Sequence, residues 1–321
     1  MITAYTRHSG TLAPQPLLPQ AMSPEVVWID LLSPSLQEEK AVEALLGVNV
    51  PTREEMQEIE ISNRLYQEGA ALYMTVTMLL HSESATPESV PATFILSGSC
   101  LVTLRYADPV PFRIVAAQVQ KSQAACTSAE EILAGFLEAS VNRLADILER
   151  VQADMDGLSA KIFAKPEARG DMHFTEVLRD IGRSQSLTTR TRESLVSFSR
   201  LLSFLNQPGH IRQDKIILHS LDTTVRDIAS LSDHASFLSN NINFLLDATL
   251  GMINSQQTGI IKIFSVAAVV FLPPTLIASI YGMNFHHMPE LSSIWGYPVS
   301  LGLMVLSAIF PYWYFKRKGW L

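Results

Sequence analysis

Residues 260–291 read IIKIFSVAAVVFLPPTLIASIYGMNFHHMPEL, and this stretch decides the fold. From 260 to 281 the only charged residue is Lys262, and the run is close to the ~20 residues that cross a bilayer as a helix. Lys262 stands near the mouth of that span, where its stem can snorkel back to the headgroups. A second apolar run covers 297–315. Two membrane helices are therefore expected, against the alternative of a buried hairpin in a soluble protein. Pro273 and Pro274 remove ladder donors inside the first span, so a kink or a loosened turn is expected there.

The basic residues set the orientation. Lys316, Arg317 and Lys318 directly follow the second span, whereas 285–296 contains no Lys or Arg. The C-terminus is therefore expected in the cytoplasm, and two spans return the chain to the side on which it started. Trp295 and Tyr297 at one border, with Tyr312, Trp313 and Tyr314 at the other, suit interfacial aromatic belts. The opening MITAYTRHSGTLAPQPLLPQ has no apolar core and is broken by Pro14, Pro16 and Pro19, so it does not read as a secretory signal. Two cysteines, Cys100 and Cys126, cannot form a disulfide framework and suit a reducing compartment. A net charge of −7 argues against nucleic acid as a partner, and 47% hydrophobic against 17% charged residues argues against intrinsic disorder.

Upstream, 26–32 (VVWIDLL), 71–80 (ALYMTVTMLL), 93–96 and 101–105 are short, rich in β-branched and aromatic residues, and bounded by Pro, Gly or Ser. They predict strands. The glutamate-rich run 51–61 predicts a helix with Pro51 in its first turn, and Ser97-Gly98-Ser99 predicts a tight hairpin turn. Together these give a mixed α/β domain over 1–125. From Ser128 the strand signals stop. Helical periodicity over 129–165 and 174–205, split at 166–170, predicts a helical hairpin within 126–210. After the Pro208-Gly209 turn no proline occurs until Pro273, which predicts a stalk helix over 211–259 running into the membrane. From Gln213 that helix would hold roughly 60 residues and span ~90 Å. The remaining segments are the span 260–281, an external loop 282–296, the span 297–315 and a basic tail 316–321.

The stalk has two readable faces. Leu231, Ala235, Leu238, Ile242, Leu245, Thr249 and Met252 alternate steps of four and three, the seam of a helix packed on other helices. A second stripe reads Asp233, Asn240, Asp247, Gly251, Asn254, Thr258, Ile261, Ser265, Ala268, Leu272, Thr275 and Ser279. Most of its members are small or polar, and it continues into the membrane, where lipid-facing hydroxyls gain nothing. It fits the wall of a water-filled pore, or else a seam where small residues let neighbouring helices approach.

At the end of the first span stand Tyr281, Gly282, Met283, Asn284 and Phe285. Gly282 permits a turn and a close approach between chains, and Asn284 offers an uncharged amide acceptor. Such groups suit a hydrated cation. Mg²⁺ gives up its water reluctantly, so a ring of neutral acceptors that bonds its hydration shell avoids much of the dehydration cost. One chain supplies one Asn284, so a filter of this kind needs several chains around an axis. The bland alternative is a helix-ending turn.

This segment, with WGYP at 295–298 and PYWYFKRKGWL at 311–321, resembles the CorA family of divalent-cation transporters, whose signature is Gly-Met-Asn beside a two-span C-terminus. The resemblance extends to VVWIDLLSP (26–34), PTREEMQEIEISNR (51–64) and FILSGSCLVTLRYADPVPF (94–112), and is greatest with the enterobacterial type. It implies a funnel-shaped homopentamer in the bacterial inner membrane, with a cytoplasmic α/β domain, a long stalk helix lining the pore and both termini cytoplasmic. It also implies passive influx of Mg²⁺, with Co²⁺ and Ni²⁺ carried as well. By the same resemblance Gly282, Met283 and Asn284 form the filter, and Thr275 and Leu272 line the pore one and two turns below. Asp247 then forms an acidic ring, Leu272 and Ile261 are the apolar constrictions, and Glu290 is the external acid that attracts cations. Zinc-transporting relatives carry Ile where Met283 stands, which favours the magnesium branch. Cytosolic Mg²⁺ closes the pore in the family by binding acids between subunits; Asp222 and Asp227 on the stalk, with Glu55, Glu58 or Glu60 on the α/β domain, are the candidates. No cofactor other than Mg²⁺, as cargo and regulator, is implied.

The sequence contains no GxxxxGK[ST], HExxH or GxSxG, and no enzyme is expected. His286, His287 and Met288 could meet a transition metal, but adjacent residues rarely reach one ion and a solvated loop is the simpler account. Cys100 and Cys126 read as packing residues. Two other functions stay open at this point: a zinc or other transition-metal carrier, possibly proton-coupled, and a membrane-anchored cytoplasmic sensor without flux.

Overall fold

The computed structural model describes residues 1–8, 11–16, 25–84, 86–121, 128–164, 173–211, 214–283, 288 and 293–319. The chain divides into two compact units, Met1–Leu246 and Asp247–Leu321. The first is built on a seven-stranded sheet of β1 (Ile2–His8), β2 (Thr11–Pro16), β3 (Val26–Leu32), β4 (Leu65–Glu68), β5 (Ala71–Leu80), β6 (Glu88–Ser97) and β7 (Cys100–Arg105). Their order is β2-β1-β3-β7-β6-β5-β4, with β3 and β7 parallel and the other pairs antiparallel. Three short helices, α1 (Leu36–Leu46), α2 (Arg53–Gln57) and α3 (Ile61–Arg64), lie between β3 and β4, and α4 (Val110–Lys121) follows β7. Two long helices come next, α5 (Ala129–Ile162) and α6 (Phe174–Leu205).

The period-two alternation of the strands sorts their side chains between two cores. Ile29, Leu31, Tyr73, Ile95, Val102 and Leu104 join Val42 of α1 and Met56 of α2 in one cluster. On the other face Trp28 and Phe94 meet Phe112 of α4 and Phe136 of α5, with ring centroids 4.8–5.3 Å apart around Phe136. A polar chain crosses this second core. The Trp28 indole N–H donates to Thr103 Oγ1 at 2.9 Å, and Thr103 Oγ1 donates to Asp30 Oδ1 at 2.7 Å. Arg105 clamps the same carboxylate from Nε and Nη2 at 3.1 and 2.8 Å, while its guanidinium lies 4.4 Å from the Phe112 ring centre. The parallel register sets Thr103 opposite Asp30 and Arg105 opposite Leu32, which brings these groups together.

The local signals of the sequence are met with some corrections. Strand β6 runs over Glu88–Ser97, longer than the expected 93–96; Pro91 is tolerated because β7 pairs only with Ala92–Ser97. The helix expected over 51–61 is two helices. Thr52, not Pro51, opens α2: its hydroxyl accepts from the Glu55 N–H while the Glu55 carboxylate accepts from the Thr52 N–H, a capping box. The helix stops at Glu58, and α3 begins at Ile61. Gly98, with φ of 56°, makes the expected turn between β6 and β7. The 166–170 turn and Cys126 lie outside the described residues. Cys100 is buried, and burial pushes its thiol up to about 12, which leaves it protonated and inert.

Candidate functional site

The third long helix, α7, runs unbroken over Lys215–Tyr281, 67 residues including Pro273 and Pro274. Pro273 and Pro274 lie inside the continuous helix, which does not break at either. Within the first unit its packing seam is as read: Ala235, Leu238, Ile242 and Leu245 are buried, while Leu231 is half-buried. Gln185 of α6 donates to Ser239 Oγ at 3.4 Å, and Phe163, just after α5, stacks on Phe244 with centroids 6.0 Å apart.

The other stripe lies on a different face. Asp233, Asn240 and Asp247 are exposed where the seam is covered, and Gly251, Asn254, Thr258, Ile261, Ser265, Ala268, Leu272, Thr275 and Ser279 are exposed in the continuation. Thr258 Oγ1 donates to Asn254 O at 2.8 Å and Thr275 Oγ1 donates to Phe271 O at 2.7 Å. With the proton of each hydroxyl committed to its own helix, the oxygen that remains is an acceptor. Phe237 and Phe244, which sequence reading passed over, occupy the same seven-residue repeat, four residues after Asp233 and Asn240, and are 58% and 59% exposed. The signal was present in the spacing, but their size hid it within a polar stripe.

At the exit, α7 ends at Tyr281. The Gly282 N–H donates to Ala278 O at 2.9 Å and the Met283 N–H to Ile280 O at 3.3 Å. A Cβ built on Gly282 would sit 3.1 Å from the Ala278 carbonyl oxygen, closer than such atoms normally pack, so this turn favours the residue without a side chain. Met283 is half exposed. Asn284, Glu290 and the histidine pair 286–287 lie outside the described residues. The last helix, α8, covers Gly296–Arg317.

Both α7 and α8 are long and apolar enough to cross a membrane, and only 6% of each apolar stretch is buried within the chain. Phe264, Phe271, Leu306 and Phe310 are each more than three-fifths exposed. A hairpin buried in a soluble core would cover such side chains, so that alternative fails. Lys316, Arg317 and Lys318 at the end of α8 stand over the rings of Tyr312, Trp313 and Tyr314 at 5.3–6.0 Å.

The regulatory candidates do not converge within one chain. Asp222 and Asp227 are exposed on α7, and Glu55, Glu58 and Glu60 are exposed beside α2. Glu55 serves the capping box, and Glu58 Oε2 accepts from Asn63. Among the described residues no group of three or more His, Cys, Asp or Glu is placed to hold a metal ion.

A folded α/β unit followed by two bilayer-length helices, with a glycine turn closing the first of them, defines a two-span membrane protein with a large extramembranous part. The chain belongs to the CorA-like Mg²⁺ transporter protein family, whose family model matches residues 23–317. It is 36% identical over 298 residues to the magnesium transport protein CorA of Pasteurella multocida (strain Pm70), covering 92% of each chain. It is 33% identical over 323 residues to the protein of that name in Yersinia pseudotuberculosis, with 100% of both chains covered, and 35% identical over 295 residues to that of Escherichia coli K12, covering 92% of each. Among solved structures, the complete CorA magnesium transporter of Methanocaldococcus jannaschii aligns over 100% of this chain and 99% of its own, with a TM-score of 0.78 at 20% identity. The cytoplasmic domain of ZntB from Vibrio parahaemolyticus covers 79% of this chain with a TM-score of 0.54 at 8% identity. These two share the fold.

Proposed function

We propose that this chain carries Mg²⁺ passively into the cell through a homo-oligomeric pore, a pentamer by family, and that Co²⁺ and Ni²⁺ can follow the same path. The observation that carries the reading is the stripe on α7: twelve positions, most of them small or neutral, run along an exposed face and lead to Gly282 and Met283, which Asn284 follows in the sequence. Repeated around an axis, that face supplies hydroxyl and amide acceptors to the water ligands of the ion while its inner shell stays intact. Asn284 bonds the hydration shell at the external end, and Glu290 raises the local cation concentration before entry. Leu272 and Ile261 interrupt the polar run and can close it by dewetting.

No chemical fuel is needed. A divalent cation entering an inside-negative compartment gains ~4.6 kcal/mol per 100 mV, twice the single-charge value. The test is Mg²⁺ influx into proteoliposomes under an imposed potassium diffusion potential, with internal Mg²⁺ removed. Influx that rises with the inside-negative potential supports the channel. Influx that follows a pH gradient instead would assign the protein to proton-coupled carriers, and no flux from well-inserted protein would assign it to sensors.

A passive path must close when the cell is replete. Asp222 and Asp227 are exposed, and among the described residues no group of three or more His, Cys, Asp or Glu could hold a metal ion within one chain, so a site built on them would be completed across subunits. Asp227→Ala is expected to raise the internal Mg²⁺ needed for half-inhibition of influx several-fold, read from flux at graded internal Mg²⁺. An unchanged inhibition curve removes Asp227 from the gate.

A further inference from the structure

Strand β4 pairs with β5 only from Leu65 opposite Met74 to Glu68 opposite Ala71, so β5 continues past the end of its neighbour. Helix α6 closes over the uncovered edge: Ser194 Oγ donates to Thr77 O at 2.6 Å, and the Thr77 N–H donates to Ser197 Oγ at 2.9 Å. Between this edge, α3 and the outer face of α6 lies a groove of about 610 Å³, lined in part by Ile59, Arg64, Thr77, Arg192, Val196 and Arg200.

The charges in this groove are unbalanced. Arg64 is half-buried; its Nη2 donates to Thr77 Oγ1 at 3.0 Å, but its Nε is buried without a hydrogen-bond partner among the described residues. Burial, and then the positive charge of Arg200, push the Arg64 guanidinium below its ordinary value. Among the described residues neither Arg192 nor Arg200 forms an ion pair, and Glu193 is the only acid on the wall. A half-buried guanidinium with a buried, unmet N–H beside a second cation is costly unless an anion completes it. Arg192, Val196 and Arg200 follow one another at steps of four on α6, so two guanidiniums flank an apolar side chain on one helical face. Ile59 is 90% exposed, and Ile61 is about half exposed. The groove thus pairs three planar forks suited to phosphoryl oxygens with an uncovered apolar wall, and its volume falls in the range of small-molecule sites.

We propose that this groove binds a nucleoside polyphosphate, its phosphates on Arg64, Arg192 and Arg200 and its base against Ile59, Ile61 and Val196. Glu193, on the same wall, is placed to accept from a ribose hydroxyl or an exocyclic amine.

The test uses the full-length protein in detergent, in magnesium-free buffer containing a chelator, titrated with ADP by isothermal titration calorimetry. Wild type is compared with the double variant Arg192→Gln/Arg200→Gln. Both positions are exposed, so circular dichroism should show unchanged helix content. Saturable ADP binding, weakened at least tenfold in the double variant and weakened by added salt, is the expected result. Absence of saturable binding, or equal affinity in the variant, overturns the proposal. Inorganic pyrophosphate that binds as tightly as ADP overturns the part played by the apolar wall, and with it the nucleotide assignment.

Discussion

Asp30→Ala is expected to lower the stability of the first unit by about 3–5 kcal/mol, the loss associated with removing one partner of a buried ion pair. The side chains of Asp30 and Arg105 are 8% and 9% exposed, so water cannot replace what is lost. The carboxylate accepts three hydrogen bonds, two from Arg105 and one from Thr103. Without it the guanidinium keeps, among the described residues, Asp108, the Ala107 carbonyl and the face of Phe112. Burial by itself disfavours the cation, and in the native protein the Asp30 and Asp108 carboxylates outweigh that and raise the Arg105 pKa; because a guanidinium is not deprotonated in proteins, the charge stays in the core when Asp30 is gone. Thermal unfolding followed by near-ultraviolet circular dichroism would report the change, because Trp28 sits in the same network. Replacing both partners with apolar residues of similar volume should cost less than the single change. A loss below about 1 kcal/mol in the single variant would show that the pair is dispensable.

The second large effect concerns transport. At matched insertion and orientation, Asn284→Ala is expected to reduce potential-driven Mg²⁺ influx by more than tenfold, and Asn284→Gln by less. In the proposed filter, alanine would remove the amide oxygen and leave the ring with no acceptor for the water ligands, so the ion would have to dehydrate or stay outside. Glutamine keeps the amide but moves it by a methylene, which changes the radius of the ring. Fluorescence of a magnesium indicator trapped in the vesicles measures both. Influx through Asn284→Ala equal to that of wild type would place the filter elsewhere on α7 or α8.

Much of this architecture was legible because its signals are local. Helix α7 could be read along nearly its whole length, since no glycine-proline break interrupts it after Gly209, and its two faces follow from a repeat contained in the helix. Strands β3, β5 and β7 announced themselves as apolar runs because both of their faces are covered. Strands β1 and β2 did not: Pro14 and Pro16 look like breakers, and only the position of β2 at the sheet edge makes them acceptable. Capping made Thr52 rather than Pro51 the start of α2, a distinction carried by one hydroxyl. On α7 the exposed stripe was legible as spacing, whereas Phe237 and Phe244, which share its repeat, were lost to a search for polar residues alone. The arginine groove was invisible to any local rule, because Arg64 and the α6 pair meet only after the sheet has formed.

The two ends of the sheet differ in how they refuse a foreign strand. At one end prolines deprive β2 of donors in its own sequence, so that protection exists as soon as the segment is made. At the other, the backbone of Thr77 is satisfied by Ser194 and Ser197, which lie 117 and 120 residues further along the chain. At ribosomal speeds of about 5–20 residues per second, that interval lasts on the order of ten seconds. Throughout it the apolar β5 has an open flank, available to another nascent chain. The yield of folded protein should therefore depend on how quickly the second half of the extramembranous part is synthesised, a kinetic burden that falls before the membrane is reached.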